Sequence, residues 1–286
     1  MNQATQIVAI VLLAPLLQGI LRRLRARLQG RPGASIWQPY RDLRKLWSKE
    51  AVVSRRSTIV LLAPGVALGV ALTFVAIVPN VASTDVVSWQ VDAVALALLL
   101  ALGRFILVLA ALETNSAFEG MAAAREIAFA SLTEAPLILA LIGSALLGNG
   151  NLAHASGSFW AAALSAGALL LVMLSETARI PVDNQETHYE LTMIHEGLVL
   201  EYSGWQLAAM HYAAYLRQAA FFVLAALLMP GSGLATMGWV LLLALGIVLI
   251  ETTYAKLRVF EVPQLFASAL ILALASLGMR IAEMLR

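Results

Sequence analysis

Apolar stretches of about 20 residues recur along the chain, separated by segments rich in charged or turn-forming residues. Because an α-helix rises 1.5 Å per residue, each stretch is long enough to cross a hydrocarbon core of roughly 30 Å. Eight such stretches lie between the polar breaks, at about 4–21, 58–79, 91–112, 127–147, 158–175, 207–229, 235–253 and 262–279. The pattern predicts an all-α polytopic membrane protein with about eight transmembrane helices, forming a single membrane domain over residues 1–286.

The composition of the chain agrees with this fold class. Hydrophobic residues make up 60% of the sequence and charged residues only 13%. The mean hydropathy is +0.83, outside the range of soluble domains. The first apolar stretch is followed by arginines and not by a small-residue cleavage site, so we expect a retained helix rather than a cleaved signal peptide.

Positively charged residues are concentrated in only some of the connections between spans. Eleven Lys and Arg residues lie in the first connection, whereas the connections near positions 84, 149 and 232 carry none. Positive residues are retained on the cytoplasmic side of a membrane. We therefore expect cytoplasmic connections at about 22–57, 113–126, 176–206 and 254–261, and both termini on the outer face of the cytoplasmic membrane.

The first connection contains its own helical pattern. Ile36, Tyr40, Leu43 and Trp47 follow helical spacing, with basic residues between them. This spacing predicts an amphipathic helix lying in the membrane interface. Such a helix either anchors the chain at the surface or frames a cavity entrance or docking edge for a soluble subunit, and the sequence leaves both roles open.

The chain contains no cysteine. This excludes disulfides, iron–sulfur ligation, and nickel or zinc held by thiolates within this chain. Any redox centre must therefore belong to a partner. The basic balance, with a net charge of +2, does not indicate nucleic-acid binding, because most of the basic residues sit beside helix ends.

The longest polar stretch runs from position 175 to 204 and is too polar to span a membrane. Asp183 and Glu186 have the spacing of a capping box, which predicts the start of a new helix after Pro181. On a continuous helix, Glu186, Glu190 and Glu201 would form one acidic stripe within about 60°. His188 and His195 are seven residues apart, too far for one metal ion, so we expect no metal site and a packing role at a subunit contact.

A second polar cluster joins the third and fourth spans and comprises Glu113, Asn115, Ser116, Glu119, Arg125 and Glu126. For Glu119 and Glu126, a solvated helix cap and a functional role are about equally favoured. Glu134 follows inside the fourth span, just before Pro136. An ionisable group at that depth must face protein or water, and proton relay is the commonest such role.

Three further charges lie within spans, namely Arg104, Arg217 and Glu251. An arginine within a span is costly unless it is paired or reaches water, so Arg104 and Arg217 should each have an acidic partner or a hydrated cavity. These charges, together with the carboxylates, predict either one hydrated polar path or separate structural ion pairs. Glu251, near a helix end, could instead reach water.

These residues carry a resemblance to a known family. The chain resembles the membrane-anchor subunit shared by respiratory complex I, where it is subunit 1 or H, and by membrane-bound energy-converting [NiFe] hydrogenases. One loop motif of that family matches without a gap at Glu176, Thr177, Arg179, Pro181, Asp183, Glu186, Glu190 and Leu191. A second motif matches at Asn115, Ser116, Arg125 and Glu134, and GRPGASIWQPYRDLRKLWSKE resembles the family's first cytoplasmic loop.

Departures from the pattern favour one branch of the family. His188 stands where the quinone-reducing branch usually has another acid, and the stretch THYELTMIHEGLVLEYSG resembles the hydrogenase branch, which includes formate hydrogenlyase. The resemblance implies a non-catalytic subunit without a redox cofactor. It implies cytoplasmic partners, an iron–sulfur small subunit and a [NiFe] large subunit, and antiporter-like subunits beside it in the bilayer. It also implies coupling of redox chemistry to proton or sodium movement.

The resemblance also suggests roles for individual residues. The expected relay groups are Glu134, Glu190, Glu201, Glu113, Glu176, Glu186, Arg104, Arg217 and Glu251. The expected interface with the soluble arm comprises Arg179, Asp183, Asn115, Ser116, Arg125, His188 and His195. Arg125 and Arg179 are expected to hold nearby acids ionised. The alternatives are the equivalent subunit of a quinone-reducing NADH dehydrogenase and, from another class, a free-standing secondary transporter.

Overall fold

The fold is given by a computed structural model that describes residues 2–52, 57–81, 93–147, 158–184, 193–231 and 233–285. Across those ranges the chain forms nine α-helices and no strand. The helices are α1 (Gln3–Leu28), α2 (Gln38–Trp47), α3 (Thr58–Ile77), α4 (Ala93–Glu113), α5 (Ala117–Leu147), α6 (Phe159–Glu176), α7 (Gly204–Leu227), α8 (Leu234–Thr253) and α9 (Val262–Met284). The predicted all-α class of a multi-pass membrane protein is confirmed.

Six of these helices, α1, α3, α4, α6, α8 and α9, are long and apolar enough to cross a bilayer. The remaining two long helices, α5 and α7, carry more polar side chains. In α7 these include Gln206, Arg217 and Gln218, all of them buried. Because α7 packs against α1, α2, α3, α6 and α8, its polar groups face protein rather than lipid. The count of eight spans therefore stays a prediction.

Two helices extend beyond the apolar stretches that predicted them. The helix α1 continues to Leu28, seven residues past the expected end, and carries its arginines on the added turns. The helix α5 starts at Ala117, ten residues before the expected span, so that only residues 114–116 separate it from α4. Helical structure continues through these polar residues because their side chains face neighbouring elements, as the burial of Glu119 shows.

A proline fixes the way α1 packs against α7. Pro15 lies inside α1 and has no backbone N–H, so it leaves the carbonyl of Val11 without its usual helical partner. The hydroxyl of Tyr212 on α7 donates to this carbonyl at 2.7 Å. The hydroxyl of Tyr40 on α2 donates to the next carbonyl, that of Leu12. The carbonyl of Val11, which lacks a helical partner, thus forms a hydrogen bond that joins α1 to α7.

The predicted interfacial helix is present as α2. Trp37 precedes this helix and Trp47 is its last residue, and both are more than half exposed, as expected for rings at a membrane surface. The segment before α2 comes close to α1 at Gly19, where an added Cβ would overlap with the carbonyl oxygen of Ile36. The helix α2 itself packs against α1 and α7.

The segment between α6 and α7 differs from its prediction. Residues 193–203 form turns and a short 3-10 helix, Glu196–Val199, rather than an α-helix. The prediction that Glu201 shares one helical stripe with Glu186 and Glu190 is therefore wrong. Gly197 contributes to the break, because an added Cβ there would lie 2.5 Å from the Cβ of Ala122 on α5. Close packing against α5 thus overrides helical continuation.

Candidate functional site

Arg104 on α4 lies at the centre of a buried ion cluster. Its guanidinium donates to Glu176 at 2.7 Å, to Glu134 at 3.0 Å and to the hydroxyl of Thr133 at 3.3 Å. The side chains of Arg104 and Glu176 are almost fully buried, whereas that of Glu134 is 43% exposed. The expectation that Arg104 has an acidic partner is confirmed, and it has two such partners.

Glu126 is the next carboxylate beside this cluster. It is 9% exposed and lies within electrostatic range of Glu176, Arg104 and Arg217. Three carboxylates and two guanidiniums in a poorly solvated region leave one excess negative charge. Carboxylates held beside guanidiniums at this depth are typical of ion and proton pathways.

The surface beside the cluster opens as a groove of about 250 Å³ between α4 and α5, lined by Arg104, Phe105, Glu126 and Glu134 among others. Phe105 and Ile127, on the same surface, are each more than half exposed. A partly exposed carboxylate among exposed apolar side chains is costly against lipid. This face is therefore better suited to contact another protein than to face hydrocarbon.

A tight turn follows Glu176 and redirects the chain. The N–H of Arg179 donates to the carbonyl of Leu174 at 2.8 Å, and that of Ala178 to the carbonyl of Ser175 at 3.1 Å. Ala178 has a φ of +51°. These are the bonds of a Schellman helix terminus, in which a left-handed residue ends the helix. The turn separates Glu176, the last residue of α6, from Arg179 beyond it.

Arg179 forms a second buried cluster. It donates to Glu251 on α8 at 2.8 Å, to Gln218 on α7 at 2.7 Å, and to Gln18 on α1. Arg25 lies 3.6 Å from the other carboxylate oxygen of Glu251. Glu251 is 2% exposed, so it lies inside the protein and not at its outer surface. Its carboxylate instead balances the buried charge of Arg179.

Asp183 holds the connecting loops together. Its carboxylate accepts from the backbone N–H groups of Ile194 and His195, each at 3.1 Å, and from that of Asn184 at 2.8 Å. Lys256, between α8 and α9, donates to it at 2.6 Å. Asp183 therefore attaches the segment 193–203, called the loop from here on, to the connection between α8 and α9.

Two contacts from α5 fix the two ends of this loop. Arg125 donates to the carbonyl of Met193 at 3.0 Å, and within the described residues no carboxylate oxygen lies within 4 Å of it. Glu119, fully buried, accepts from the N–H of Glu201 at 3.1 Å and from the hydroxyl of Thr114. Glu119 and Glu126 are therefore buried groups and not solvated caps.

Arg217, on α7, contacts this loop at His195. Its guanidinium lies 3.5 Å from the Nε2 of His195, and within the described ranges no carboxylate oxygen lies within 4 Å of it. Burial and the adjacent Arg217 lower the pKa of His195 to about 3, so that its imidazole is neutral. Burial and the charge of Asp183 raise the pKa of the neighbouring Glu196 to about 7.

A cavity of about 610 Å³, called the arginine cavity, lies directly beside the Arg179 cluster. Its charged lining residues are Arg22, Arg25, Arg31, Arg179, Asp183 and Glu251. The side chains at its floor, including Gln18, are almost fully buried, and residues 31–34 at its rim are exposed. The cavity therefore connects the surface of the long loops with the buried Arg179–Glu251 pair.

The other predicted site residues are distributed around these clusters. Glu113 is the half-buried last residue of α4, and Asn115, with a φ of +59°, lies with Ser116 in the turn before α5. Glu201 lies next to Glu119, away from the Arg104 cluster. Glu186, His188 and Glu190 lie outside the described residues.

Sequence reasoning missed Gln18 and Gln218 and left the role of Glu126 open. Gln18 and Gln218 are neutral residues within apolar helices. Only Gln18, which lies one turn before Arg22 on the same helix, could have been expected to make polar contacts. Glu126 was recognised but left open, because its burial depends on the packing of α5 against the loop.

Comparisons with known proteins agree with these features. Residues 2–281 match the sequence profile of the NADH dehydrogenase family. The chain is 34% identical over 222 residues to hydrogenase-4 component C of Escherichia coli (strain K12), covering 74% of this chain and 70% of that protein. It is 32% identical over 223 residues to formate hydrogenlyase subunit 4 of the same organism, covering 74% and 72%.

A solved structure shows the same fold. A chain of the membrane-bound sulfane sulfur reductase, an archaeal respiratory membrane complex, superposes with a TM-score of 0.77 at 17% identity. The match covers 97% of this chain and 98% of that chain. The arrangement of helices described above is therefore shared by a chain of a respiratory membrane complex.

Proposed function

The chain belongs to the NADH dehydrogenase family of membrane subunits, and from this premise we propose that it is the anchor and ion-translocating subunit of a membrane-bound [NiFe] hydrogenase complex of the formate hydrogenlyase type. Two relatives named as hydrogenase-4 and formate hydrogenlyase subunits support the branch. The subunit itself catalyses no redox step. It couples the redox chemistry of a docked soluble arm to the movement of protons or sodium ions.

One structural observation carries this proposal. Buried charged side chains follow one another from the groove between α4 and α5, through Glu134, Arg104 and Glu176, to the turn at Ala178. Beyond this turn, Arg179 and Glu251 continue to the arginine cavity. Carboxylates at such depth are expensive, and are typical of ion and proton pathways. The pathway thus joins a lateral surface to the surface of the long loops.

The soluble partners proposed are an iron–sulfur small subunit and a [NiFe] large subunit. Thiolates are the ligands for both kinds of centre, and this chain has none, so the clusters and the nickel–iron centre belong to those partners. They dock on the face that carries the arginine cavity and the loop held by Asp183. This face is cytoplasmic in the proposed orientation, with both termini outside the inner membrane.

The lateral partners proposed are antiporter-like membrane subunits. The face suited to them is the groove containing Glu134, because a partner helix there would cover the exposed part of this carboxylate. Continuation of the ion pathway into the neighbouring subunit would then need no charge to cross lipid.

The proposal is tested with the whole complex in proteoliposomes, by measuring hydrogen evolution and ion uptake together. E134Q should retain subunit content and hydrogen evolution but lose most of the coupled ion uptake. E50Q is the matched control, because Glu50 is an exposed carboxylate outside the clusters. Ion uptake at the wild-type ratio in E134Q would contradict the proposed role of Glu134.

A second candidate is the equivalent subunit of a quinone-reducing NADH dehydrogenase, which the family match favours. It predicts that quinone-site inhibitors block the assembled complex. The hydrogenase proposal predicts hydrogen evolution that these inhibitors leave unchanged. A secondary transporter would transport a substrate as the purified chain alone, which the subunit proposal does not expect.

A further inference from the structure

Charge is unevenly distributed in the arginine cavity. Among the residues that the structure describes, four arginines and two carboxylates line it, and both carboxylates already have basic partners. Glu251 is bound by Arg179, and Asp183 by Lys256. The cavity therefore carries excess positive charge that its own lining acids do not balance.

Two of the arginines provide this excess. Within the described residues, no carboxylate oxygen lies within 4 Å of Arg22 or Arg31. The guanidinium of Arg22 lies 6.0 Å from the ring centroid of Tyr215, and Arg31 donates to the side chain of Gln29. Neither contact neutralises a charge. Glu196 lies within electrostatic range of Arg22, but burial raises its pKa to about 7, so its charge is only partly available to balance Arg22. Both guanidiniums therefore remain able to bind an anionic group.

The position of the cavity identifies the source of that group. Gln18, Arg22 and Arg25 lie along one face of α1, whereas Leu13, Leu17 and Ile20, which line a separate apolar groove, lie on a face roughly 140° away. The cavity is thus separate from the apolar surface of α1. Its exposed rim, residues 31–34, belongs to the loops on the proposed docking side.

We propose that the arginine cavity receives an acidic side chain of the docked soluble subunit, which binds Arg22 and Arg31. This inference rests on the proposed function, because it requires a soluble subunit on this face. The bound carboxylate would lie above the Arg179–Glu251 pair. Docking of the soluble arm would thereby place a charge at the entrance of the ion pathway.

The electrostatic part of this proposal is tested by the NaCl concentration that releases the soluble arm from membranes containing the whole complex. The double variant R22Q/R31Q should lose about tenfold in affinity for the soluble arm, measured as release at lower NaCl concentration. R22K/R31K, which retains both charges, should release the arm close to the wild-type concentration. R27Q is the matched control, because Arg27 is exposed on the same helix and does not line the cavity. Wild-type release from R22Q/R31Q would overturn the proposal.

Zero-length cross-linking identifies the occupant. In R22K, a water-soluble carbodiimide should join the new amine to a carboxylate of the soluble subunit, as read by mass spectrometry, whereas R27K should give no such product. A product joining this amine to Glu186 or Glu190 of the same chain would overturn the inference alone, because the chain would then neutralise its own cavity. Membranes that bind no soluble arm even in the wild type would overturn the proposed function as well.

Discussion

Glu176 and Arg179 are three residues apart, yet they bind oppositely charged partners in two different clusters. Glu176 accepts from Arg104 on α4, and Arg179 donates to Glu251 on α8. The left-handed turn at Ala178 makes this possible, because it ends α6 and sends the following residue towards α1, α7 and α8. A short backbone motif therefore joins the two halves of the proposed pathway.

The turn gives a first prediction. Ala178 occupies a left-handed position that glycine adopts without steric cost, whereas a β-branched side chain clashes there. A178V should destabilise the subunit by about 2 kcal/mol and reduce coupled ion uptake. A178G should keep both close to wild type. Thermal unfolding of the detergent-solubilised complex and the ion uptake assay measure the two effects, and equal behaviour of A178V and A178G would contradict the role of the turn.

Arg104 gives a second prediction, because it balances two carboxylates. R104Q removes the guanidinium that Glu134 and Glu176 bind directly and should destabilise the subunit by about 3–5 kcal/mol. In the double variant R104Q/E176Q one of these charges is removed, so stability should partly return. Subunit content of membranes and thermal unfolding test this, and additive losses in the double variant would argue against direct pairing.

Asp183 gives a third prediction, about docking rather than the pathway. D183N loses the ion pair with Lys256 and weakens the bonds to the N–H groups of Ile194 and His195. The loop should then become more sensitive to protease, and less soluble arm should co-purify. K256M is the comparison, since it removes the ion pair but leaves the backbone bonds. A soluble arm that co-purifies with D183N at wild-type yield would exclude Asp183 as an interface determinant.

Glu196 gives a prediction about pH. Its pKa is raised to about 7 from an ordinary value of 4.5, because burial and Asp183 disfavour its charge. The folded loop therefore binds the proton more tightly than the unfolded loop does. The contribution of Glu196 to the stability of the loop is fully present below pH 4.5 and falls as the pH rises towards 7. Hydrogen exchange of the loop amides, corrected for intrinsic rates, should show this loss of protection, and E196Q should abolish it.

Much of the fold was predictable because hydrophobic runs of span length are a strong signal. The helices α3, α4, α6 and α8 begin and end within a few residues of the predicted bounds. The ends of α1 and α5 were not predictable from hydropathy, because their added turns are polar and are buried or held by partners distant in sequence. Glu119, for example, is buried against a backbone group 82 residues later in the chain.

The candidate site was predictable in its residue types but not in its pairs. Arg104, Glu134, Glu176 and Glu251 could be selected because charges within or beside spans are costly. The pairing of acids with arginines depends on helix packing and on the turn at Ala178. This turn has no glycine, so the sequence does not indicate its left-handed backbone. The predicted acidic helix failed at Glu201 because close packing of Gly197 against Ala122 favours a 3-10 turn.

Close backbone packing at Gly19 gives the last prediction. An added Cβ would overlap with the carbonyl oxygen of Ile36, in the segment that follows the cavity rim. The obstacle is backbone and not a flexible side chain, so G19A must displace this segment or α1 itself. The arginine cavity should change shape, because Gln18 and residues 31–34 line it from both sides. Salt release of the soluble arm should shift as it does in R22Q/R31Q, although every arginine remains.

In G69A, where the added Cβ meets no atom within 4 Å, release should match the wild type. If G19A also matched the wild type, the contact between α1 and the segment before α2 would not determine the shape of the cavity.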